Sequence, residues 1–144
     1  MQIIIGWISI IFGGALYLAQ VVSSINFPLA QRLGIQENAE TSDILLIRAE
    51  RYTAYWDLLT LLWMPVAGVL MISNHQWWPV FSLIAGVIYL DTAGREAVKN
   101  LSFKHEGYKV GTKKAQRLFF SSYIVMAVIA IFVIIYSLTP LLFL

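Results

Sequence analysis

The stretch Ala54–Gly94, AYWDLLTLLWMPVAGVLMISNHQWWPVFSLIAGVIYLDTAG, decides the fold of this chain. Leu58–Ile72 and Pro79–Leu90 carry no formal charge, and aromatic residues bracket each run. With their flanks, both approach the roughly 20 residues needed to cross a hydrocarbon layer about 30 Å thick. The short turn Asn74-His75-Gln76-Trp77 joins them. A connection this short predicts two antiparallel neighbouring helices, a hairpin within the bilayer.

Working outward, a further apolar run precedes the hairpin (Ile3–Val22) and another follows it (Leu118–Leu138). The pattern predicts an all-α integral membrane protein, a single four-transmembrane-helix bundle around a central hairpin. The helices are expected at about 3–22, 43–73, 78–94 and 118–138, with polar loops at about 23–42 and 95–117. Composition agrees, since 59% of the 144 residues are hydrophobic and 12% are charged. A soluble domain carries about a quarter charged residues. The charges here fall in two blocks between apolar runs. Met1-Gln2 supplies no basic residue ahead of the first run, so an uncleaved first helix is expected over a secretory signal.

Small residues mark helix contacts. Gly6, Gly13, Gly14, Ala15 and Ala19 on the first helix, and the Ser82/Gly86 pair on the third, leave room for close approach. Phe27-Pro28 is expected to end the first helix, because the residue before proline is pushed out of the α region. Gln31–Gly34 reads as interfacial, and Glu37-Asn38-Ala39-Glu40 as a solvated loop. Thr41, Ser42 and Asp43 are candidate N-caps for the second helix, in which Arg48, Glu50 and Arg51 face water or headgroups. Pro65 is expected to kink that helix by removing a backbone donor.

Orientation follows from lysine and arginine placement. Arg32, Arg48 and Arg51 belong to the first polar segment and the start of the second helix. Arg95, Lys99, Lys104, Lys109, Lys113, Lys114 and Arg117 belong to the last polar segment. The central turn and both ends carry none, so both polar loops are expected in the cytoplasm and both termini outside. Composition suits a bacterial inner membrane.

Asp57, Asp91 and Arg95 are the residues on which chemistry is expected to centre. Both aspartates lie near the cytoplasmic boundary when depth is counted at about 1.5 Å per residue. A carboxylate there is costly unless paired, hydrated or protonated. Asp91 and Arg95 are four apart and share a helix face. Asp57 has no basic neighbour on its own helix, so Arg95 is its expected partner. Thr60 shares the face of Asp57, and Tyr89 is a more peripheral candidate. This set reads either as a polar site for a solute, headgroup or proton, or as a charge clamp on the hairpin.

Lys104, Lys109, Lys113, Lys114 and Arg117 are candidates for contact with anionic lipid. Gly107-Tyr108-Lys109-Val110-Gly111-Thr112-Lys113-Lys114 does not match a phosphate-binding loop, which needs four residues between its glycines and Lys followed by Ser or Thr. His75 and His105 lack partner ligands, Asn100-Leu101-Ser102 is a chance-level glycosylation triplet on the cytoplasmic side, and no internal repeat is visible. The chain has no cysteine, which removes disulfides and thiolate chemistry. No metal, cofactor or catalytic set is expected, and the net charge of +2 is too small to point to nucleic acid. The expected surroundings are a lipid bilayer with a membrane-protein partner or further copies of the chain. The leading expectation is a non-enzymatic accessory or assembly subunit. Its alternatives are a homo-oligomeric transporter or binding protein for a small molecule or lipid, and an enzyme acting on a lipid or isoprenoid.

Overall fold

In the computed structural model, which describes residues 1–142, every regular element is helical: α1 (Gln2–Ile25), α2 (Phe27–Arg32), α3 (Ile44–Thr60), α4 (Trp63–Ile72), α5 (Trp78–His105) and α6 (Lys113–Leu142). Three stretches are long and apolar enough to span a membrane: α1, the continuous run Ile44–Ile72 formed by α3 and α4, and α6. Large apolar side chains stand exposed along them, among them Ile3, Ile4, Trp7 and Ile11 on α1 and Ile124, Val128, Phe132 and Ile135 on α6. A soluble monomer rarely exposes contiguous apolar surface on this scale. These faces suit hydrocarbon and mark an integral membrane protein.

Close packing runs in sequence from α1 to α4, α4 to α5 and α5 to α6, with α3 also lying on α1. Small residues set these contacts, because two backbones can approach only where no side chain intervenes. A Cβ on Gly68 would stand 2.6 Å from the Gly6 carbonyl oxygen, and one on Gly13 would stand 2.8 Å from the Met64 side chain. Gly14, by contrast, faces open space. On the other side of the molecule, a Cβ on Gly86 would meet Ile134 at 2.7 Å, and Ser82 is fully buried. Trp78 stacks on Tyr136 with ring centroids 5.5 Å apart.

The interruption between α3 and α4 at Leu61–Leu62 has a local cause. Pro65 has no N–H to give the carbonyl of Leu61, four residues earlier. The buried Tyr89 hydroxyl donates to that oxygen instead, at 2.9 Å, and also lies 3.4 Å from the Gly13 carbonyl. One phenol thus satisfies the helix break and ties α5 to α3 and α1. Tyr89→Phe leaves the Leu61 carbonyl buried without a donor. A loss of about 1–3 kcal/mol is expected in the unfolding free energy measured in detergent.

Helix ends follow backbone chemistry, with two departures from expectation. Phe27-Pro28 does not terminate α1 but opens α2. Pro28 fits a first turn, where its missing N–H is not needed. The chain breaks one residue earlier at Asn26, whose side chain accepts from the Leu29 amide at 3.1 Å. The predicted loop 95–117 is also much shorter, since α5 continues past Gly94 to His105. Its buried stripe Ser82, Ala85, Gly86, Tyr89, Thr92, Ala93, Glu96, Asn100 keeps one helical period throughout, so nothing stops the helix at Gly94. It ends at Gly107, whose φ of +86° allows the Tyr108 and Gly107 amides to bond back to the Phe103 and Lys104 carbonyls. Phe103 and Tyr108 complete this cap with ring centroids 5.4 Å apart. The turn after α4 uses the same device, with Asn74 in the left-handed region.

The α1–α3 and α5–α6 connections meet at one end of the molecule. Ser42 and Val110 form an antiparallel bridge. The Asp43 amide donates to the Lys109 carbonyl at 2.8 Å and the Gly111 amide to the Thr41 carbonyl at 3.2 Å. Asp43 is the N-cap residue of α3, although its side chain makes no capping bond. At the opposite end, Gln2 donates to the Met71 carbonyl at 2.7 Å and to Asn74 at 3.1 Å.

Candidate functional site

α4 packs against both α1 and α5, whereas α3, beyond the break at Leu61–Leu62, stays on α1. The space left between α3, α5 and α6 is a cavity of about 270 Å³. Its floor and walls include Leu16 of α1, Ala54 of α3, Leu61, and Phe119 and Met126 of α6. Its lining also carries four acids. Glu37 arrives from the α1–α3 connection, Glu50 and Asp57 from α3, and Glu96 from α5.

Two cations of α5 answer these four acids. Arg95 donates to Asp57 at 3.2 Å, and its Nε lies 3.8 Å from Glu96 Oε1. Lys99 pairs with Glu50 at 2.8 Å and with Glu96 one turn before it. The charges therefore alternate along one line: Glu50, Lys99, Glu96, Arg95, Asp57. The line begins and ends on a carboxylate, which leaves one negative charge in surplus, and Glu37 stands beside it as a fourth acid. Asp57, Glu37 and Glu96 are 2%, 4% and 7% exposed. Glu96 Oε1 and Gln20 Oε1 are buried without a hydrogen-bond partner. Among the described residues, no three His, Asp or Glu side chains are placed to hold a metal ion.

Glu37 is the acid that the sequence placed in water. The structure folds it inward, while Asn38, Ala39 and Glu40 remain exposed. Gln31 donates to its backbone carbonyl at 2.6 Å and Ser42 to its carboxylate at 3.3 Å. Gln36, beside it, donates to Ser23 of α1 at 3.1 Å. Gly111 makes the placement possible, because a Cβ there would stand 2.5 Å from Glu37 Oε2. Burial, and then the charge of Glu50, push the Glu37 carboxyl up to about 7, against smaller downward pulls from Ser42 and Lys99.

The fold therefore holds its proton to about pH 7, whereas its ordinary value is 4.5, so the native state binds more protons between those values. Stability is expected to fall as pH rises from 4.5 to about 7. Thermal midpoints in detergent across that window should decline for the natural chain and stay flatter for Glu37→Gln. Equal slopes in both would locate the titrating group elsewhere.

The residues expected from sequence separate into three sets. Asp57 and Arg95 do meet. Asp91 is exposed, shares a shallow surface depression with Arg95, and forms no ion pair among the described residues. Thr60 returns its hydroxyl to the Trp56 carbonyl at 3.2 Å, and Tyr89 serves the helix break. Lys104, Lys109, Lys113, Lys114 and Arg117 stand exposed around the α5–α6 connection.

Glu37, Glu50, Glu96 and Lys99 were missed. Part of the signal was present, because Glu50 and Asp57 lie seven residues apart on one helix face, and Glu96 and Lys99 are three apart. No family model matches the chain, and neither a curated protein nor a solved structure is found similar to it.

Proposed function

We propose that this chain crosses the membrane four times and binds a small molecule in the acidic cavity at its cytoplasmic end. The crossings are α1, α3 with α4, the apolar half of α5 from Trp78 to about Gly94, and α6, with α4 and α5 forming the central hairpin. The position of the basic residues supports this topology. Arg32, Arg48 and Arg51 lie on the same side as Lys104, Lys109, Lys113, Lys114 and Arg117, where the two long connections meet. The turn that Gln2 touches carries no Lys or Arg. In a bacterial inner membrane this bias puts both termini outside. The lysines on the first turn of α6 sit unfavourably at the positive end of a helix dipole, which anionic headgroups would offset.

The observation that carries the binding reading is Glu96. Its side chain is almost wholly buried, one oxygen makes no hydrogen bond and has Arg95 Nε at 3.8 Å beside it, and the residue lines the cavity. An accessory subunit needs helix faces but no such interior space, so the cavity moves the balance toward ligand binding, with transport through an assembly of copies as its extension.

Native mass spectrometry of the protein released gently from its own membrane tests this. A small molecule retained at a fixed ratio on a monomer or homo-oligomer supports the reading. A stoichiometric protein partner with no retained small molecule would return the chain to the accessory-subunit class.

A further inference from the structure

The lining of the cavity also limits what kind of molecule it takes. Building on the ligand-binding reading above, we infer that the ligand is an organic cation: an ammonium group held by Glu96, Glu50 and Glu37, with a hydrocarbon body against the apolar wall.

Charge supplies the first argument. Among the described residues, Arg95 and Lys99 are the cations paired with Glu50, Asp57 and Glu96, and Glu37 lies within reach of the same field. A surplus negative charge among side chains this buried is costly, because burial removes hydration that a neighbour must replace. Arg95 is already engaged with Asp57, and Lys99 with Glu50 and Glu96. The vacancy in the charge pattern is therefore cationic, and an anionic ligand would add to the excess.

Shape supplies the second argument. Besides the carboxylates, the cavity is lined by the apolar side chains of Leu16, Ala54, Leu61, Phe119 and Met126. An inorganic ion would leave that wall unused, and the carboxylates are not grouped as metal ligands. Phe119 and Tyr123 add aromatic faces, which attract cations beyond their apolar area. Glu96 Oε1, which makes no hydrogen bond and has Arg95 Nε 3.8 Å away, supplies the acceptor for an N–H donor.

The test is calorimetric titration of the full chain in lipid nanodiscs at about pH 8, where Glu37 is ionised, with empty nanodiscs as the partition control. The probes are 2-phenylethylamine, as its cation, and its neutral and anionic counterparts 2-phenylethanol and phenylacetate. The cation is expected to bind about tenfold or more tightly than either, a difference of about 1.4 kcal/mol. Glu96→Gln should reduce that preference about tenfold. Glu37→Gln, which alters a connection and leaves the helix faces untouched, should reduce it as well if Glu96→Gln does not fold. Glu106→Gln, an exposed acid away from the cavity, should leave it unchanged.

Saturable binding of the alcohol as strongly as the amine would overturn the cation assignment while leaving a small-molecule site. Preference for phenylacetate would overturn it also. Failure of all three probes would overturn it, and retention of a small molecule in native mass spectra would then show the broader reading standing without it. A cation preference equal in natural protein and both acid variants would place the binding elsewhere and reject the site.

Discussion

Lys99→Met is expected to cost about 3–5 kcal/mol of unfolding free energy. Lys99 pairs closely with two acids at once: Glu50 at 2.8 Å and Glu96 one turn away. Its side chain is 16% exposed, and those of Glu50 and Glu96 are 12% and 9% exposed, so water cannot take its place. Removing it leaves two carboxylates facing each other across a cavity already rich in negative charge. The triple variant Lys99→Met/Glu50→Gln/Glu96→Gln is expected to recover to within about 1 kcal/mol, because a whole buried network exchanged for neutral groups of similar size is often near neutral. Equilibrium unfolding in mixed micelles reads both variants. A single variant as stable as the natural chain would mean that the line of alternating charges is hydrated and contributes nothing to the fold.

Gly68→Leu is expected to separate α1 from α4, with a loss of more than about 3 kcal/mol or failure to assemble. Even the Cβ of an alanine would lie 2.6 Å from the Gly6 carbonyl oxygen, 2.7 Å from Ile10 Cγ1 and 3.0 Å from the Ile10 amide nitrogen. Two of those obstacles are backbone, so no rotamer change clears the space and the helices must move apart. Overpacking where side chains can still yield costs about 1–3 kcal/mol, and leucine at a backbone crossing goes beyond that range. Gly14→Ala is the matched control. It lies on the same helix as Gly6, meets nothing within 4 Å, and should be neutral or stabilising by up to about 1 kcal/mol through helix propensity. Comparable losses at both positions would show that the crossing is not set by glycine contact.

The two variants probe separate regions of the molecule. The Gly6–Gly68 crossing lies near the end that Gln2 ties to the α4–α5 turn, while Lys99 acts at the end where the two long connections join. Stability can therefore fall through loss of helix approach without disturbing the acidic cavity. The converse separation is less complete, because Tyr89 links the helix break below the cavity to both α1 and α5.

Much of the architecture was written in the sequence, because it depends on neighbours along the chain. Uncharged runs of sufficient length become helices, since a lipid surround leaves backbone groups no other partner. The interruption near Pro65 and the small-residue faces at Gly6 and Gly86 follow from local sterics. So does the gathering of basic residues at one end of the molecule. Even the pairing of Asp57 with Arg95 followed from the lack of any basic group near Asp57 on its own helix. The composition of the site did not follow. Glu37 reads as a loop acid and Glu50 as a headgroup-facing one, while Glu96 and Lys99 fall in a segment whose charge suggests water. Only the tertiary structure brings them together, because an acid is buried or solvated according to what lies beside it in space. Here that neighbour is a second helix, or a connection held inward by the Ser42–Val110 bridge and by the absence of a side chain at Gly111.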